Sequence, residues 1–76
     1  MTTEYFDRTL QTYQRRRPFH PFRARFISGQ HVDVDHPEAI VIRDGVAASI
    51  SPDGTPTLFD HAGVSEVSGD MERWSA

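Results

Sequence analysis

The spacing of apolar residues along the chain changes once, around position 18. Before it, Tyr5, Phe6, Leu10 and Tyr13 form a stripe, with Phe6 and Leu10 four apart and Leu10 and Tyr13 three apart. That spacing predicts a helix over 3–17. Thr2 or Thr3 can cap its N-terminus, and Glu4 and Asp7 sit in the first turns, where carboxylates suit the helix dipole. Arg15, Arg16 and Arg17 fall in the last turn, where cations suit the opposite partial charge. Pro18 stops the helix and pushes Arg17 towards an extended conformation.

After Pro21 the period becomes two. Phe22, Ala24 and Phe26 point to one face and Arg23 and Arg25 to the other. Ser28-Gly29-Gln30 reads as a turn. His31 to Asp35 alternates again, with Val32 and Val34 inward and His31, Asp33 and Asp35 outward. Ala39 to Ile42 is a continuous apolar run, the pattern of a strand covered on both faces. Asp44-Gly45 is a type I′ hairpin signal, and Val46 to Ser51 is the returning strand. Pro52-Asp53-Gly54 makes another turn. Thr55 to Asp60 contains Pro56 and so reads as an edge strand, and Val64 to Ser68 is a last short strand. Residues 69–76 read as a frayed tail.

The order is therefore one helix and about five short strands joined by tight turns. This predicts a mainly β domain: a small, strongly bent five-stranded antiparallel sheet or barrel of SH3-like or Sm-like plan over 22–68, with the helix across one open end. The 76 residues make a single domain, and a chain this short buries only about 60% of its unfolded surface. Small domains usually gain stability from disulfides, metals or partner subunits. There is no cysteine, which excludes disulfides and thiolate zinc sites and leaves self-association or a well-packed barrel. No secretory h-region and no apolar run of about 20 residues is present, so the expected setting is cytoplasmic, with no membrane contact.

Charge changes the picture further. Residues 1–26 carry six arginines against Glu4 and Asp7, a net +4. Residues 27–76 carry Arg43 and Arg73 against nine acids, a net −7, giving the total of −3. A molecule polarised in this way is expected to stack head to tail or to dock its basic end on something anionic.

Pro18, Phe19, Pro21 and Phe22, then Gly29, His36-Pro37-Glu38 and finally Leu58, Asp60, Val64 and Val67 carry a resemblance to a known group. Over residues 10–68 the chain resembles a group of short uncharacterised bacterial proteins with a helix, a PF-x-PF segment and an H-P-E strand end. Ser28 stands where many of that group have aspartate before the turn glycine. The resemblance implies a small β-barrel-like domain and no activity.

The candidate chemistry lies in two stretches. In HVDVDH, His31, Asp33 and Asp35 line one strand face at steps of about 6.6 Å, with His36 on the other; these four are the metal candidates. The spacing is wide for one ion, and neither HExxH nor a second histidine pair at helical spacing accompanies it, so a solvated outer face is the preferred reading. His36 and His61 are each expected to satisfy a nearby turn. No nucleophile elbow or phosphate-binding glycine loop is present, so no cofactor is implied and the chain reads as no enzyme.

The second stretch, RRRPFHPFRARF, offers Arg15, Arg16, Arg17, Phe19, His20, Arg23 and Arg25 for nucleic-acid or partner contact. Alternation turns Phe22 and Phe26 inward, which removes a stacking platform, and a pI near 5.7 is low for a dedicated binder. Pairing of Arg23 and Arg25 with Asp33, Asp35 or Glu66, within or between subunits, is preferred. The leading expectation is a non-catalytic small barrel that forms a homo-oligomer, ring or head-to-tail, and docks other proteins. Its pairing edges are the strand after Pro21 and the strand at 55–60. An Sm-like RNA-binding ring is the second reading, and a metal-dependent enzyme the third.

Overall fold

The computed structural model describes residues 1–69, so the predicted tail lies outside the described residues from position 70 onward. Helix α1 spans Thr3–Arg15. Thr2 is its cap: the Oγ1 of Thr2 accepts from the Tyr5 amide at 3.2 Å. The helix ends two residues earlier than its spacing predicts. Arg16 has already left helical dihedrals, at φ −57° and ψ 136°, and Arg17 precedes a proline, in a cis peptide bond. The Arg17 guanidinium turns back to cap the end, donating to the carbonyls of Gln14 (3.3 Å) and Arg16 (2.9 Å).

Among the described residues six strands follow: β1 (Phe22–Phe26), β2 (His31–Val34), β3 (Ile40–Arg43), β4 (Val46–Ile50), β5 (Pro56–Asp60) and β6 (Val64–Ser68). A 3₁₀ turn, Pro37–Ala39, separates β2 from β3. The strands form two three-stranded antiparallel sheets, ordered β2-β1-β6 and β3-β4-β5. The two sheets are not joined into a single five-stranded barrel. The turn at Pro37 breaks the ladder between β2 and β3, because proline donates no amide and its ring fixes φ.

The turns are chemically specified. Asp44 (φ 51°) and Gly45 (φ 80°) both adopt positive φ, as a type I′ hairpin requires. In the β1–β2 hairpin the Phe26 amide meets the Gln30 carbonyl at 2.8 Å and the Gly29 amide meets the Phe26 carbonyl at 2.9 Å. Gly29, at φ 95°, closes that three-residue loop.

The inner faces of both sheets and one face of α1 share a core: Phe6, Leu10, Phe22, Ala24, Val34, Ile40, Ala47, Phe59 and Val64. Alanines and Ser49 on the inner positions make room for the large rings. Phe59 meets Phe6 edge-on at 6.0 Å and Phe26 at 5.2 Å, while Tyr13 stacks on Phe22 at 5.3 Å. Polar bonds tie the helix to the second sheet: Gln14 Nε2 donates to the carbonyls of Pro37 and Ile40 (both 2.9 Å), and the Gly45 amide donates to Asp7 Oδ1 (2.8 Å).

Two further expectations are corrected. The strand after Pro21 is no edge, since β1 is the centre of its sheet and pairs on both sides; β5 does lie at an edge. The run Ala39 to Ile42 is not covered on both faces. Ile40 is buried, but Val41 is 64% exposed on the outer side of an edge strand.

Candidate interaction surfaces

The arginines of β1 are held within the chain. The antiparallel register places Arg23 opposite Asp33 on β2 and opposite Ser68 on β6. Arg23 Nε donates to Asp33 Oδ1 at 2.6 Å and its Nη2 to Oδ2 at 3.1 Å, a two-pronged pair. That hydrogen bond drives the Arg23 pKa further up from its ordinary value. Arg25 lies opposite Glu66 on β6, with Nε 3.4 Å from the carboxylate. A bulge between Arg25 and Phe26 re-aims the end of β1, and Ser65 Oγ donates to the Arg25 carbonyl at 3.1 Å. Asp35 stands beyond the end of β2, outside the register that pairs the two arginines.

Arg15, Arg16 and Arg17 are exposed, as is His20. Arg16 sits over the Tyr13 ring at 5.8 Å and Arg17 caps the helix, which leaves Arg15 facing solvent beside the end of the helix. Phe19 is half-buried edge-on to Phe22 at 6.2 Å, so it serves as packing between helix and sheet.

The metal candidates do not converge. His31 Nε2 is 3.9 Å from Asp33 Oδ2, but Asp33 is already held by Arg23. Among the described residues no group of three or more histidines or carboxylates is placed to hold an ion. His36 makes no side-chain cap bond to its 3₁₀ turn; the Ala39 amide reaches the His36 backbone carbonyl instead, at 3.1 Å. His61 reaches across the chain rather than to its own turn: its Nδ1 lies 2.8 Å from the Met1 carbonyl, and the Met1 amine donates to the His61 carbonyl at 3.1 Å.

The surface missing from the sequence reading is the outer face of β3-β4-β5. Val41, Val46, Ile50 and Leu58 are 64%, 49%, 39% and 75% exposed, and all point away from the core. The register sets Val41, Ala48 and Leu58 in one row and Arg43, Val46 and Asp60 in the next. At the end of the sheet a shallow cleft joins Val46, Leu58 and Asp60 to Phe26 and the exposed Ile27. The signal was present in β4, where Ala47 and Ser49 alternate with the larger Val46 and Ile50. The small residues face in and the large ones out, an inversion of the usual half-buried strand.

Comparison with protein-family models, with curated proteins and with solved structures gave no match. No helix among the described residues is long and apolar enough to cross a membrane.

Proposed function

We propose that this protein is a non-catalytic interaction module that works by self-association. Its two sheets are the walls of a small, strongly bent barrel of SH3-like or Sm-like plan, with α1 laid across one opening. The observation that carries the reading is the apolar outer face of β3-β4-β5. Soluble monomers rarely leave a contiguous apolar patch of this kind in water unless it binds something. A chain with so thin a core gains most from covering it. The assembled module then presents its remaining edges and its arginine-rich helix end to other proteins.

The exposed arginines at 15–17 favour a second reading, an RNA-binding ring, in which these side chains and His20 meet phosphate. Arg23 and Arg25 contribute less to such a patch because their charge is already matched by Asp33 and Glu66.

Light scattering on a sizing column, at low and high salt and with absorbance at 260 and 280 nm, tests both. A defined oligomer with a protein-only spectrum is the expected result. A peak with excess 260 nm absorbance that high salt removes, and that neutralising Arg15, Arg16 and Arg17 abolishes, gives the RNA reading. A monomer at every concentration refutes self-association.

A further inference from the structure

The outer face of β3-β4-β5 is built symmetrically about its central strand. One row runs Arg43, Val46, Asp60 and the next Val41, Ala48, Leu58, with β4 in the middle of each. Neighbouring strands are about 4.8 Å apart, so Arg43 and Asp60 stand at equal distances on either side of Val46. The same holds for Val41 and Leu58 around Ala48.

A two-fold axis running along β4, midway between two such sheets, exchanges β3 of one copy with β5 of the other at the same height. Under that operation Arg43 meets the second copy's Asp60, and Asp60 meets its Arg43. Val41 meets Leu58, while Val46 and Ala48 each meet themselves. We propose that this face is a two-fold dimer interface between two copies of this chain, closed at its rim by two reciprocal Arg43–Asp60 ion pairs. The proposal rests on the self-association reading above and names its surface and symmetry.

The charges favour a second copy over an unrelated partner, because the row is complementary to itself and only in this pairing. Both groups are exposed. Among the described residues Arg43 has one ion-pair neighbour, Asp44, at 4.0 Å and almost fully in solvent. Asp60 Oδ1 takes the Gly63 amide at 3.0 Å, which fixes the carboxylate and leaves Oδ2 open. Aligned sheets pack face to face about 10 Å apart and rotated by about 30°, and the long arginine stem spans the offset this creates at the sheet's corners. Ala48 at the centre lets the two sheets approach.

The pairing also replaces the head-to-tail stacking that the raw charge asymmetry suggests. Two of the six cations in residues 1–26, Arg23 and Arg25, are matched by acids from the rest of the chain, so the basic end falls from +4 to about +2.

The test uses full-length Arg43→Asp and Asp60→Arg variants, measured by sedimentation or light scattering, with melting curves to confirm folding. Each single variant is expected to associate at least about tenfold more weakly than wild type, because like charges then oppose across the interface. An equimolar mixture of the two is expected to recover a mixed dimer, as is the Arg43→Asp/Asp60→Arg double variant. Because Asp60→Arg also loses the Gly63 bond, Leu58→Ser serves as an independent probe. Leu58 is three-quarters exposed, so its loss is expected to abolish the dimer while leaving the melting temperature of the dilute, monomeric chain unchanged. Wild-type association in both charge variants overturns the proposal, and so does a mixture that stays monomeric. A wild-type chain that never associates instead refutes the broader reading of function.

Discussion

Replacing Gly45 by alanine tests the hinge between the helix and the sheet that carries the proposed interface. Gly45 lies at φ 80° in the β3–β4 turn, and a Cβ built there stands 2.9 Å from both His61 Cδ2 and Thr3 Cγ2. Gly29 is the internal control: its φ is 95°, but nothing lies within 4 Å of its Cβ position. The left-handed conformation alone costs an alanine about 1 kcal/mol. At Gly45 the His61 ring or Thr3 must also move, and the 2.8 Å contact from His61 Nδ1 to the Met1 carbonyl goes with it. Losing that bond adds about 1 kcal/mol, and shifting the first residue of α1 brings the total to about 2–3 kcal/mol. Near 4–8 °C per kcal/mol for a domain of this size, Gly29→Ala is expected to lower the melting temperature by about 4–8 °C and Gly45→Ala by about 10–20 °C. Thermal unfolding followed by circular dichroism reads both. Equal losses in the two variants would refute the close approach of Gly45 to His61 and Thr3.

Three further outcomes follow from the geometry. Phe6, fully buried against Phe59, is expected to cost about 3–5 kcal/mol on truncation to alanine, a large part of the stability of so small a core, and urea unfolding measures it. A double-mutant cycle on Arg23 and Asp33 is expected to give a small favourable coupling that shrinks in salt, and zero coupling at low salt contradicts the cross-strand pair. Asp53 accepts hydrogen bonds from Ser51 Oγ and from the Thr55 amide, which hold its pKa below the ordinary carboxylate value. Its contribution to the β4–β5 turn is therefore complete above about pH 3.9 and lost as pH falls through the lowered value, so its carboxyl carbon, followed by NMR, should titrate below that of a model aspartate.

Much of the framework was legible locally. The i,i+4 stripe, the Thr2 cap, the Asp44-Gly45 turn and the alternation in β1 are local signals, and each fixes its own element. The helix end was displaced because the spacing of apolar residues says nothing about Arg16, whose dihedrals are set by the turn into Pro18. Exposure was harder to read. Ala39 to Ile42 has the composition of a doubly covered strand, but whether a strand is central or at an edge depends on the 3₁₀ turn at Pro37 and on which sheet it joins. The same non-local pairing made β1 central. The pairing of Arg23 and Arg25 with acids was legible from the alternation, although the partners that form, Asp33 and Glu66, lie 10 and 41 residues away and only the register selects them over Asp35. The apolar face of the second sheet is a property of three strands in register, and each strand alone shows only one or two of its residues.

The central claim is that the chain covers this face with a copy of itself. The most direct test is the weight-average mass of the wild-type protein by light scattering across a wide concentration range. The account predicts a mass that climbs from 8.6 kDa towards twice that value and stops there, because a two-fold contact closes on itself. A mass that stays at 8.6 kDa throughout contradicts self-association, and one that climbs without limit contradicts a closed two-fold interface.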